Sequence, residues 1–599
     1  MPKRLPEEAP KDWDLRGPFT TYPRCEQWEA ERVPKMLAEL RMYRLSWNIR
    51  RKPDWQRKAS DPKILAKWRR EVLEQQSKIK LDKKMTKKMV DYVLDELTGY
   101  AKIADNERGI ERGCFDAIWY SDKLISKDVT ERLKIAVSVL ENVPETEKDW
   151  HPGSNNQVLD LVHPSLYCIV YGRTDAYLPD KPRVSENLFP MIVPTFNEGT
   201  DEWSVQVVDW SISTAYCWLP SDFSIGKDGS VKLVSPYINN LNPAKHQSLY
   251  RIIEEVLSGF IPMFDRVLGD IDRQNPLNDD SERLEHMYCV WGDALHEDDR
   301  PSYEAYLESL ESSISNGEDC DISEEDWYDS QKTLPEASTY EGQLEDTLSP
   351  ITLRGRTIQS IIKLANIHLI PENPKYRGGS WHVEGMANES IVASGIYYYD
   401  EDNITETKLS FRVSTSEPGE HSRNDHECAM IQYGISTYEY LSYDSDLGLI
   451  DWNFRYDDCV QEIGEMVTKA GRALSWPNAF QHCVSSFKLS DRSKPGHRKI
   501  LAIFLVDPTI DPIPSATNVP PQQSEWACEA LQELLTDNRS LVSRLPQELV
   551  DLIMEQLRAS AMTLKEAESY RLKLMKERTV FVETHSDKAY GVKFNLCEH

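Results

Sequence analysis

Between residues 27 and 147 apolar side chains recur at helical spacing. Trp28, Val33, Met36, Leu37, Leu40 and Tyr43 form one such file, and Met89, Val90, Tyr92, Val93, Leu94, Leu97 and Tyr100 another; both predict amphipathic helices. From about Trp150 the period shortens. Val158–Val162, Leu166–Tyr171, Trp203–Val208 and Ser230–Val234 read as short strands. Tyr250–Leu268 reads as a further amphipathic helix, with Pro262 as a kink point. Residues 351–510 alternate strands and turns. Ile391–Tyr399 and Ile500–Val506 are continuous apolar runs of the kind that form buried strands, the second halted by Asp507-Pro508. Prolines 512, 514, 520 and 521 mark a linker, after which residues 524–580 return to helical spacing, most strongly over Pro546–Leu557. The expected architecture is α+β: a helical region over 1–149, a β-rich domain over 150–515, and a linker with a C-terminal helical region over 516–599.

One stretch breaks this pattern. Glu297-Asp298-Asp299, Glu318-Asp319, Asp321, Glu324-Glu325-Asp326, Glu341 and Glu345-Asp346 crowd into residues 296–350, which hold few basic or branched apolar residues. That composition predicts a disordered or loosely packed acidic insertion within the β-rich domain. The chain as a whole is 40% hydrophobic and 10% aromatic, enough for a large core, and carries a formal net charge of -29. Such a surface repels phosphate backbones, so nucleic-acid binding is disfavoured. The basic stretch from Arg50 to Lys88 then reads as the solvated face of helices. The 11 cysteines include no C-x-x-C pair, as expected of reduced thiols in an intracellular protein. The first residues form no apolar leader, and no run approaches the roughly 20 apolar residues that cross a bilayer. The cytoplasm is the expected compartment, with the nucleus second and no membrane association.

The candidate chemistry starts at Trp381-His382-Val383-Glu384-Gly385. If this segment is a strand, residues two apart share a face, and His382 and Glu384 offer an imidazole and a carboxylate together. A third ligand would complete a facial triad with positions left open for other molecules, a geometry suited to iron(II). With 13 histidines in the chain, an H-x-E alone says little; the order that follows adds weight. Gly471–Pro477 reads as a strand ending in a turn, and Asn478-Ala479-Phe480-Gln481 leads to His482. Arg498 lies sixteen residues beyond His482 and opens an apolar strand on the same face as Ile500, Ala502 and Phe504. An inward arginine is costly unless it meets an anion, and its fork is shaped for a carboxylate. Tyr398, sixteen residues after His382 and in register with Ile396 and Ser394, could give that carboxylate a second hydrogen bond. Alternatives stay open: packed core histidines, a structural acid as the partner of Arg498, or His497 as a ligand. His421 and His426 read as surface residues, Cys483 has no assigned role, and Arg412 is a surface ion pair or a grip on an acidic substrate. His151 and His163 would support the core or line an entrance, and Trp381, Asn388, Trp476 and Gln481 flank the ligands.

This order resembles 2-oxoglutarate dioxygenases of the prolyl-hydroxylase type: H-x-E at 382–384, Ile396-Tyr397-Tyr398, Gly471-Arg472-Ala473-Leu474 with a distal His482, and Arg498-Lys499-Ile500-Leu501-Ala502-Ile503. The resemblance implies a double-stranded β-helix (jelly-roll, cupin-like) core with iron(II) on His382, Glu384 and His482. It also implies 2-oxoglutarate held by Arg498 and Tyr398, with O2 as co-reactant. Lys148–Ser154, Leu161–Tyr167, Gly378–Gly385 and Lys494–Leu501 further make residues 85 to 525 similar to the fungal family called domain of unknown function 4246. One departure is Glu384, where the superfamily usually has Asp. The JmjC relatives that carry Glu anchor the cosubstrate with a lysine on the strand after the first histidine. Here that strand holds Tyr397, Tyr398 and Tyr399 and no lysine before Lys408, which leaves Arg498 as anchor. The expected activity is hydroxylation of a C–H bond, with a small molecule favoured as substrate and a peptide or protein side chain as the alternative. A cupin-like metal hydrolase or isomerase and a non-catalytic scaffold are the rival classes.

Overall fold

A computed structural model describes residues 33–79, 84–178, 181–194, 209–272, 283–284, 301–316, 322–333, 335–348, 351–416, 431–434, 437–444, 449–456 and 458–594. The fold is mixed α/β, with antiparallel sheets and packed helices. Its largest sheet runs in the order Glu111–Arg112, Trp119–Ser121, Ala473–Pro477, Ile391–Asp402, Gly496–Val506, Thr357–Leu369, Ser221–Ile225 and Val231–Leu233, and Val158–Val162 also pairs with strand 357–369. A smaller sheet joins Val460–Thr468, Thr407–Ser414 and Gln481–Val484.

The two faces of the large sheet have different fates. Helices Gln247–Asp270 and Lys127–Glu141 cover one. On it Gly395 faces Phe260 and Phe264 so closely that an added Cβ would lie 2.8 Å from the Phe260 ring. The Tyr397 hydroxyl meets Thr130 at 2.6 Å, and Lys499 pairs with Glu141 at 2.9 Å. The opposite face carries, by cross-strand register, Ser394 beside Trp476 and Phe504, Ile396 beside Leu474 and Ala502, and Tyr398 beside Ile500. The C-terminal helix Leu564–Lys588 covers part of this second face: its Ala567 and Leu574 pack with Ile361, Ala502 and Phe504. The rest confronts the small sheet, where Trp476 lies edge-on to Phe411 at 5.5 Å.

Several expectations change on the structure. The helix expected over 250–268 spans Gln247–Asp270 and continues as one element past Pro262; burial of its apolar file on the sheet outweighs the lost backbone hydrogen bond. Residues 111–121, read as helical, form two short strands that extend the large sheet beyond strand 473–477. Of Leu166–Tyr171 only Ile169–Val170 is strand, and Trp203–Val208 lies outside the described residues. The acidic segment is not wholly loose. Helices form over Tyr303–Ser315, Glu324–Gln331 and Gln343–Asp346. Leu344 is buried, Tyr340 packs edge-on to Tyr92, and Glu345 pairs with Lys102 at 2.7 Å, so a few apolar anchors dock the later part of this segment against helix Lys87–Ile103.

Candidate metal centre

The segment carrying His382 and Glu384 is not a regular strand. His382 makes a single antiparallel bridge to His482, donating its N–H to the His482 carbonyl at 3.2 Å and accepting the return bond at 3.0 Å. Chain direction then changes at Gly385, which adopts φ +71°, a conformation that favours glycine. Glu384 is therefore aimed by a turn, and Asn478 holds that turn. The buried Asn478 amide accepts the Glu384 N–H at 2.9 Å and donates to the Glu384 carbonyl at 2.8 Å and the Ile391 carbonyl at 3.2 Å. His482 sits on strand 481–484, opposite Phe411 of the small sheet.

These constraints bring the three side chains together. Glu384 Oε1 lies 3.7 Å from His382 Nε2 and 3.5 Å from His482 Nε2, and the two rings are 4.4 Å apart. One ligand atom from each residue falls within 4.8 Å of the other two, so one divalent ion could be held by all three. His382 Nδ1 meets the Ser380 carbonyl at 2.8 Å, which fixes the ring with Nε2 toward the cluster. Burial alone would raise the Glu384 carboxyl; the hydrogen bonds and charges of both imidazoles overcome it and hold the group well below the usual carboxylate range. His482 is pushed down, first by burial and then by His382.

Arg498 and Tyr398 occupy the same face of the large sheet as Trp476, which packs edge-on to His482 at 5.0 Å. The Arg498 side chain is 2% exposed. A bulge between Tyr398 and Asp400 shifts the strand's parity, so that Glu401 lies opposite Arg498 and accepts one hydrogen bond from Nη2 at 3.0 Å. The acid expected as the alternative partner is thus present, yet it uses one corner of the fork. Among the described residues, Arg498 Nε and Nη1 and the Tyr398 hydroxyl are all buried without a hydrogen-bond partner, and the guanidinium lies 5.2 Å from the Tyr398 ring and 5.1 Å from Phe487. Orphaned buried donors of this kind are rare and call for a ligand.

The remaining residues fall into place around this core. His497 pairs with Asp400 at 2.8 Å and takes no part in the cluster. Arg412 is not a surface ion pair. It donates to Gln481 at 2.8 Å and lies 4.8 Å from the Trp381 ring and 5.2 Å from Tyr590. Asn388 clamps Ser213 through its N–H and carbonyl. The Gln481 side-chain amide donates to His585 at 3.1 Å and its backbone N–H donates to the Tyr590 hydroxyl at 3.2 Å, which bolts the end of the C-terminal helix onto the strand of His482. Cys483 faces the Gly379 carbonyl, and His421 and His426 lie outside the described residues. The sequence reading missed Asn478 as a clamp and Glu389 as a buried hub, whose carboxylate accepts the N–H groups of Met386 and Trp218 and pairs with Arg578. A second group, His151, Asp160 and His163, also gathers three ligand-type atoms within 4.8 Å.

The chain belongs to the family described as "Protein of unknown function (DUF4246)", whose model matches residues 87–530, and residues 9–71 match the family's N-terminal domain. No curated protein matches. Among solved structures, a selenomethionine-labelled Fe(II)/(alpha)ketoglutarate-dependent dioxygenase, TqaL, aligns over 76% of this chain and 96% of its own at 8% identity and a TM-score of 0.24. AviO1 from Streptomyces viridochromogenes Tue57 aligns over 39% and 93% at 11% identity and a TM-score of 0.13. At those scores neither likeness bears on function. No helix among the described residues is long and apolar enough to cross a membrane.

Proposed function

We propose that this protein is an iron(II)- and 2-oxoglutarate-dependent oxygenase that hydroxylates a C–H bond of a small molecule. One observation carries the reading: a two-histidine, one-carboxylate cluster packs through Trp476 against the sheet face that carries Arg498 and Tyr398, whose Nε, Nη1 and hydroxyl are buried with no hydrogen-bond partner among the described residues. The donor set fits iron(II), which tolerates mixed nitrogen and oxygen ligands and keeps open positions. His382, Glu384 and His482 would hold the ion. Arg498 would present an edge of its guanidinium, and Tyr398 its hydroxyl, to the far carboxylate of 2-oxoglutarate, giving an acceptor to buried donors that have none among the described residues. When bound, iron with 2-oxoglutarate and O2 supplies the oxidising power, releasing succinate and carbon dioxide.

The strand order supports a double-stranded β-helix as the fold of this core. Strands 357–369, 496–506, 391–402 and 473–477 form one wall. The His382 bridge with strands 481–484, 407–414 and 460–468 forms the other. Trp476 packs on Phe411 between the walls, and the C-terminal helix covers part of the large sheet's inner face. Such cover favours a small molecule over a protein side chain.

The test is anaerobic reconstitution of the full chain with iron(II) and 2-oxoglutarate. A visible metal-to-ligand charge-transfer band is expected in the wild type, absent in His382→Ala and weakened in Arg498→Ala, with succinate formed on admitting air. Wild-type protein giving neither band nor succinate would refute the reading.

A further inference from the structure

We propose that Glu401 is a resident counter-charge on Arg498 that holds down the affinity of this site for the far carboxylate of its ligand, so that 2-oxoglutarate is bound weakly. The identity of the ligand rests on the preceding reading; competition between two carboxylates for one guanidinium does not.

The backbone delivers Glu401 to this position. Under unbroken alternation Asp400 would share the face of Tyr398, and Glu401 would point toward the helices on the other side. The bulge between Tyr398 and Asp400 reverses the two. Asp400 is held on the helix-covered face by Lys134 at 3.0 Å and His497 at 2.8 Å. Glu401 then stands opposite Arg498 on the face of Tyr398. Two ion pairs behind the strand thus fix the bulge that brings an acid to the arginine.

The contact itself is unlike a structural ion pair. Arg472 shows what such a pair looks like in this chain: it grips Asp122 through Nε at 2.7 Å and Nη2 at 2.9 Å, and gives Nη1 to the Val467 carbonyl at 2.7 Å. Its fork is filled. Arg498 gives Glu401 a single bond from Nη2 at 3.0 Å, while Nε and Nη1 have no acceptor among the described residues. A guanidinium can grip a carboxylate along either of two edges, and Nη2 contributes one N–H to each. One bond from Nη2 therefore leaves a whole edge open. The burials differ as well: the Arg498 side chain is 2% exposed and that of Glu401 25%, so the acid sits at the rim, between the buried cation and solvent. In the free protein it balances the arginine. A carboxylate arriving at the open edge sets two anions on one cation, and a partly buried site screens their repulsion poorly. Glu401 either swings out into water or stays against the repulsion, and both lower the affinity of the newcomer. Glu401 acts on the ligand through charge alone and is a tuning residue, not an anchor.

Glu401→Gln removes the charge and keeps the shape, and titration of the iron(II)-loaded full chain with 2-oxoglutarate under anaerobic conditions, read in the charge-transfer band, tests its effect. The dissociation constant should fall about tenfold, the worth of one partly screened like charge. Glu401→Asp, which restores the charge, should return it to within threefold of wild type. Glu401→Ser, a second variant without the charge, should tighten binding in the same direction if glutamine disturbs the bulge. In an Arg498→Met background Glu401→Gln should bring no gain. Thermal melting separates tuning from packing: Glu401→Gln should melt lower than wild type when free, yet gain more from saturating ligand. Ligand-observed NMR with glutarate on the metal-free chain repeats the comparison without iron. Unchanged or weaker binding in both Glu401→Gln and Glu401→Ser, or an equal gain with Arg498 removed, would overturn the proposal. A charge-transfer band that forms in the wild type with an affinity unmoved by these variants would do so while leaving the iron reading intact. Glutarate binding that depends on Arg498 and tightens in Glu401→Gln, in a chain that gives no band with iron(II), would sink the iron reading and support the counter-charge.

Discussion

Asn478→Ala offers a sharp test of how the Glu384 turn is held. The side chain makes three hydrogen bonds, two to the backbone of Glu384 and one to that of Ile391. At about 1 kcal/mol net for each, the clamp contributes about 3 kcal/mol. Glu384 lies at the edge of solvent, and water will restore part of that when the amide is removed. What remains, about 1.4 to 2.7 kcal/mol, corresponds to about 10- to 100-fold weaker metal binding, the range typical of groups that orient a ligand from behind. The perturbation should register as affinity more than as unfolding, because the loosened element is one short turn. Cobalt(II) titration of the metal-free full chain, read in its visible bands, measures this directly, with His482→Ala as baseline. Asn478→Asp should be no better than alanine: it keeps the acceptor for the Glu384 N–H but sets an anionic oxygen against two carbonyls. A dissociation constant for Asn478→Ala within twofold of wild type, alongside clear loss in His482→Ala, would refute the clamp.

Arg498→Met should weaken 2-oxoglutarate binding about 100-fold, since two charge-assisted hydrogen bonds of about 1.5 kcal/mol each are lost. Tyr398→Phe should cost about fivefold, and neither should alter metal affinity; titration of the charge-transfer band separates the two effects. Asp270 accepts Arg112 at 2.8 Å and the Trp119 indole at 2.7 Å inside the core, so Asp270→Ala takes the nearest carboxylate from a buried guanidinium, leaving it Asp116 at 3.5 Å and the Thr347 hydroxyl, and should cost about 3 kcal/mol, seen as a lower melting temperature. Burial pushes His585 down to about 3. Its folded value lies below its unfolded one, so the unfolded chain binds more protons between the two. Stability is therefore whole above pH 6.5 and declines as pH falls toward 3. His585→Phe should flatten the fall of melting temperature over that window, and an unchanged slope would exclude His585 as a contributor.

Much of this was legible in the residues, and the parts that were not share one cause. Strands 391–402 and 496–506 announce themselves as apolar runs, and their period-two logic correctly sets Tyr398 and Arg498 on one face. The same logic failed at His382-Val383-Glu384, where the side chains converge because a turn is pinned by an amide 94 residues away. It also could not foresee the bulge that turns Glu401 toward Arg498, since nothing in Tyr398-Tyr399-Asp400 distinguishes a bulged strand from a regular one. The acidic segment misleads in the opposite sense: local chemistry predicts looseness, and packing on Tyr92 reverses it for the later part. Periodicity therefore finds the walls of the site, whereas what aims its side chains is long-range and polar.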